Sequence, residues 1–144
     1  MKVFERKWRL AKMGVRASRA EACTGSPATG ATPIDRAYLA RFTLGNAALE
    51  REILELFAAQ TPLYVEQLRV AVTQQAWRQA AHTIKGSALA VGARRLASLA
   101  QMAEQLDIES NPAAVRDRQQ PAVDAVAAGS DEACRYIACL FATP

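Results

Sequence analysis

Residues 74–92 read QQAWRQAAHTIKGSALAVG, and their pattern decides the fold. At about 100° per residue, with Trp77 set to zero, Ala80, Ala81, Ile84, Ala88 and Val91 all fall within about 60° of it. That is one apolar stripe on one helix. Lys85 lies at about 80°, Arg78 at about 100°, Leu89 at about 120°, His82 at about 140° and Gly86 at about 180°. The spacing predicts an amphipathic helix from Gln74 to Val91, and Gly92 closes it because glycine readily takes the left-handed conformation of a C-terminal cap.

The flanking sequence repeats the pattern. Asp35 is placed to cap a short helix through about Thr43, with Leu44 and Gly45 ending it, and Asn46 to cap the next. The second helix carries Leu49, Ile53, Leu56, Phe57, Leu63, Tyr64, Leu68 and Val72 at helical spacing. Pro62 interrupts it and predicts a kink or a restart near Gln60, since proline removes a hydrogen bond and clashes with the preceding turn. After Gly92, a helix from about Ala93 presents Leu96, Leu99, Ala100, Ala103 and Leu106. Asn111 and Pro112 mark a connection. A last helix over about Asp117 to Phe141 turns Val123, Val126, Ala133, Ile137 and Leu140 inward, with Gly129 and Ser130 weakening its middle.

Helices joined by short connections bury their stripes on a shared axis. The expected fold is all-α: an antiparallel (up-down-up-down) four-helix bundle with a short additional N-terminal helix. The chain has 144 residues, enough for one domain, and its 51% hydrophobic and 22% charged content excludes disorder throughout. Aromatics reach only 6% and β-branched residues come singly, which excludes an all-β fold. No stretch approaches the roughly 20 apolar residues that cross a bilayer, and the N-terminus lacks the apolar core of a secretory signal. The expected location is cytoplasmic.

The net charge of +4 belongs to one end of the chain. Residues 1–33 hold seven basic and two acidic side chains, and the remainder holds eleven basic and twelve acidic. The run CTGSPATGATP, from Cys23 to Pro33, cannot bury enough apolar surface to order itself. Residues 1–33 therefore read as a basic, flexible leader and linker, and residues 34–144 as the helical domain. The basic character is not a nucleic-acid footprint on that domain. Three cysteines and one histidine supply neither a disulfide framework nor a zinc site, so no metal and no resident cofactor are expected.

His82 is the one histidine, and the wheel points it to water rather than into the core. A solvated surface histidine is the plainer reading, but three neighbours weigh against it. Lys85 at i+3 sets a cation beside the ring and disfavours its protonation, which keeps it nucleophilic. Gly86 at i+4 costs roughly 1 kcal/mol in mid-helix relative to alanine, and its missing side chain leaves the ring open. Leu89 is an exposed apolar side chain one turn on, which with Arg78 and Gln79 suits a docking face. An exposed imidazole serves as general base, metal ligand or nucleophile. A base needs a cleft and an orienting carboxylate, and a metal needs further ligands. A phosphoryl acceptor needs only access and nearby positive charge, which a convex helix face provides.

The string Ala80-Ala81-His82-Thr83-Ile84-Lys85-Gly86-Ser87-Ala88-Leu89-Ala90-Val91-Gly92-Ala93 resembles the signature of histidine-containing phosphotransfer (HPt) domains of bacterial two-component phosphorelays: His-x-x-Lys-Gly, a glycine six residues on and Leu96 four beyond that. The likeness extends over roughly Ile34 to Leu106, including Phe57, Pro62, Leu68 and Ala100. Ala90 departs from the polar residue, often asparagine, of many members. The resemblance implies a phosphoacceptor at His82, stabilisation of the phosphoryl charge by Lys85 and access kept clear by Gly86. It further implies reversible exchange with an aspartate of a separate receiver domain, of a response regulator or a hybrid histidine kinase. That receiver would bring the Mg²⁺. Nothing in the chain resembles a nucleotide-binding loop, so the expectation is a monomeric carrier without autokinase activity. The rival readings are a non-phosphorylated adaptor docking on a receiver or kinase, and a dimeric kinase-like phosphotransferase that has lost its ATPase domain.

Overall fold

A computed structural model describes residues 32–110 and 112–142. Apart from Thr32 and Pro33, the expected leader lies outside the described residues, as does Cys23. Five helices are present among the described residues, with no strand: α1 (Arg36–Thr43), α2 (Ala47–Val70), α3 (Gln74–Val91), α4 (Arg94–Glu104) and α5 (Pro112–Leu140). Of these, α2 packs on α3, α3 on α4, α4 on α5 and α5 on α2, so the four longer helices close a ring, and α1 lies against α2 and α3.

Local chemistry sets the boundaries. Asp35 accepts from the Tyr38 amide, Asn46 from Leu49 and Thr73 from Ala76, each satisfying a donor that the first helical turn leaves unpaired. Leu44 ends α1 in the left-handed region at φ 52°. Gly92 ends α3 at φ 76°, where its N–H donates to the Leu89 carbonyl and the Ala93 N–H to Ala88. The Gly92 carbonyl in turn accepts from the Asp35 amide, which joins the start of α1 to the α3–α4 turn.

One expectation needs correction, and of the kink or restart expected near Gln60 the restart is excluded. The last helix begins at Pro112, not near Asp117. Proline suits the first helical position because its missing N–H would have no partner there, and the added turns bury Val115. Also, α2 runs through Pro62 without a restart. The Ala58 carbonyl, which Pro62 cannot reach, faces the Cys134 thiol at 3.8 Å, and Thr61 Oγ1 donates to the Phe57 carbonyl one turn back. Burial pushes the Cys134 thiol up to about 11, so it stays protonated and serves as a weak donor here.

The α3 stripe is buried as its spacing predicts, from Trp77 to Val91. The α2 stripe is phased differently: Glu50, Leu54, Phe57, Thr61, Val65 and Leu68 point inward, while Leu49, Leu56, Leu63 and Val72 are exposed. Glu50 enters because Arg36 of α1 pairs with it at 2.8 Å. Gly129 lies where α5 crosses α4, and a Cβ there would stand 3.0 Å from Leu99 Cδ1.

At Gly92 the turn leaves no room for a side chain. A Cβ there would sit 2.9 Å from both Cβ and the carbonyl oxygen of Asp35, on a backbone that L-residues avoid. Gly92→Ala is expected to lower unfolding stability by about 1–3 kcal/mol, measured by urea denaturation. An unchanged midpoint would contradict this account of the turn.

Candidate functional site

The site forms where α3 and α4 run side by side. Trp77, fully buried, donates its indole N–H to the Ala103 carbonyl at 2.6 Å. Gln74 at the start of α3 binds the chain leaving α4 through its side chain, donating to the Leu106 carbonyl and accepting from the Ile108 amide. These bonds hold the last turn of α4 against the first half of α3, and the residue after Ala103 is Glu104.

Glu104 reaches across to both functional candidates. Its Oε1 lies 3.0 Å from His82 Nδ1 and its Oε2 2.6 Å from Lys85 Nζ. An ionised carboxylate only accepts hydrogen bonds, so the ring nitrogen facing it must carry the proton. In the neutral ring the lone pair is therefore on Nε2. The His82 side chain is 68% exposed, against 23% for Lys85 and 24% for Glu104. The nitrogen with the lone pair belongs to an open side chain, while the two charged groups beside it are partly covered.

The remaining residues fall as follows. Arg78, Gln79 and Leu89 are exposed on α3 with His82. Arg78 also acts electrostatically on Asp107 in the connection after α4. A Cβ built on Gly86 meets nothing within 4 Å, so no neighbour in the described structure requires glycine there. Lys85 is not a bare cation beside the ring, as its i+3 spacing alone implies. Its ammonium is engaged with Glu104, whose negative charge offsets it.

Sequence reasoning missed Glu104. A signal existed: an acidic side chain on the last residue of a helix faces the negative end of the helix dipole and is unfavourable without a cation nearby. The tight turn at Gly92 brings such a residue beside α3, where a His/Lys pair one turn apart awaits an acceptor. Which residue of α4 arrives opposite depends on the packing height, which sequence spacing does not state.

The family model of the Hpt domain matches residues 52–132, more than half of the chain and the whole of this cluster. The chain belongs to the Hpt family. Hpt domains are phosphocarriers rather than kinases: they work by histidine phosphotransfer in two-component phosphorelays, between receiver domains and kinases. No curated protein and no solved structure matches the chain. In this Hpt domain no described helix is long and apolar enough to cross a membrane.

The hydrogen bond from Lys85 is the main force holding the Glu104 carboxyl below its ordinary value of 4.5; burial, next in size, pushes it up, and the hydrogen bond from His82 adds to the lowering. A carboxyl depressed in the folded state contributes stability that is present above its unfolded value and lost as pH falls through the folded one. The bridge is therefore intact at neutral pH and opens only in acid. Carboxyl ¹³C NMR of Glu104 should show a midpoint below 4.5 that moves toward it in Lys85→Met. A wild-type midpoint at or above 4.5 would contradict the bridge.

Proposed function

We propose that this protein is a phosphorelay intermediate in which His82 accepts a phosphoryl group from a receiver-domain aspartate and passes it to another receiver. The observation that carries the reading is an exposed imidazole whose Nδ1 is held by Glu104, leaving Nε2 as the lone-pair nitrogen beside the open space over Gly86. The Nε2 lone pair attacks the phosphorus of the aspartyl phosphate, the P–O bond breaks, and the aspartate carboxylate leaves with the electron pair. No proton has to move, because Nδ1 already carries the one that makes the product ring cationic.

The partner brings the acidic pocket and its Mg²⁺, and this chain brings a nucleophile on a convex surface of an up-down-up-down bundle. Lys85, once turned from Glu104, lies one helical turn from the ring and is placed to meet phosphoryl oxygens. Arg78, Gln79 and Leu89 form the docking face. The carrier acts as a cytoplasmic monomer, takes no resident cofactor and does not phosphorylate itself from ATP.

Incubation with a phosphorylated receiver and Mg²⁺ should label the wild type with acid-labile, base-stable phosphate and leave His82→Ala unlabelled. Labelling of neither would defeat the proposal and favour a docking adaptor, and equal labelling of the two would defeat it by placing the phosphate on another residue. A second substitution separates access from folding. Gly86→Gln should gain up to about 1 kcal/mol of helix stability while transfer from the receiver slows roughly tenfold or more. Faster or unchanged transfer in that variant would show that glycine is not there for access.

A further inference from the structure

Glu104 matters more after the phosphoryl group has arrived than before. In the phosphorylated protein Nε2 is bonded to phosphorus, and the outgoing step depends on Nδ1. With its proton kept, the P–N bond breaks, the electron pair returns to Nε2 and a neutral imidazole departs. With that proton lost, the same cleavage expels an imidazolate anion, a far poorer leaving group. A neutral acceptor beside Nδ1 leaves the outcome largely to the solvent. A carboxylate favours the cationic ring directly and makes a charge-assisted hydrogen bond roughly twice as strong as a neutral one.

The other charges around the ring do not replace it. On α3, Arg78 and Lys85 flank His82 and both oppose a proton on the ring, but Lys85 Nζ lies 2.6 Å from Glu104 Oε2. After α4, Asp107 is engaged with Ser110 and with Arg78. On the second half of α2, Glu66 and Arg69 pair with each other. The charged residue Arg36 at the start of α1 pairs with Glu50, and α1 meets α3 at its Gly92 end. Glu104 is the carboxylate that touches the imidazole.

We propose that Glu104 is a positioning residue for the outgoing transfer: through His82 Nδ1 it keeps the phosphorylated ring protonated, so that the phosphoryl group leaves a neutral imidazole over a wider pH range. The inference rests on the carrier reading and adds to it a device that makes this chain a ready donor.

The test needs no partner. Phosphoramidate, a small phosphoryl donor, transfers its phosphoryl group to Nε2 as its own P–N bond breaks; its nitrogen leaves as ammonia. Loss of phosphohistidine from the full chain is then followed by ³¹P NMR from pH 5 to 10 in wild type and Glu104→Gln. The fall in wild-type dephosphorylation rate should come about one pH unit above that of the variant, so that near pH 8 the wild type loses phosphate on the order of tenfold faster. Coincident profiles from two folded proteins would overturn the inference while leaving the carrier reading intact. No label on His82 would strike the carrier reading and take the inference with it. Should Glu104→Gln fail to fold, ¹⁵N NMR of phosphorylated wild type reads Nδ1 directly. Loss of its proton at the same pH as in free phosphohistidine would equally overturn the role of Glu104.

Discussion

The indole hydrogen bond from Trp77 to the Ala103 carbonyl is the constraint on which the site depends. It joins two helices rich in buried alanine: Ala80, Ala81 and Ala88 on α3, beside Ile84 and Val91, and Ala97, Ala100 and Ala103 on α4, beside Leu96. Small side chains let the helices approach closely but set their height weakly, because one alanine resembles the next. A large ring with one donor has a single place to put its N–H. A buried indole without a partner would bear the cost of an unsatisfied polar group. Fixing Ala103 fixes Glu104, and with it the tautomer of His82 and the resting position of Lys85.

The cluster is economical because one side chain orients two. A carboxylate at the C-terminal end of α4 is opposed by the helix dipole, and the charge of Lys85 offsets it. The ammonium is thereby kept beside the ring without being spent on it. On the carrier reading proposed above, an arriving phosphoryl group would give Lys85 a second anionic claimant while Glu104 kept Nδ1. The helical scaffold supplies the position of all three side chains.

What was legible in the sequence followed from strong local signals. The α3 stripe, the caps at Asp35 and Asn46 and the stop at Gly92 each rest on a residue with one good conformational use. The phase of α2 was not legible, because Leu49, Leu56 and Leu63 form a second apolar row of helical spacing beside the buried one. Tertiary pairing decides between the rows, as Arg36 does by drawing Glu50 inward. The start of α5 was obscured by Pro112, which reads equally as a loop residue and as a first helical residue. Glu104 was hidden for another reason: its partners are 19 and 22 residues away, and no local pattern records a contact across a helix pair.

Two glycines on the same helix show how fold and function divide. Gly92 is demanded from within, by a left-handed backbone and by Asp35 standing 2.9 Å from any Cβ. Gly86 is demanded by nothing in the described structure: its backbone is helical and the space above it is open. In mid-helix it weakens α3 relative to alanine by roughly 1 kcal/mol, in a domain whose total stability is of the order of 10 kcal/mol. The carrier reading proposed above gives such a residue a use outside the chain. Gly86 sits one turn from the nitrogen that the geometry leaves free, which is where an incoming aspartyl phosphate and the surface around it would have to fit.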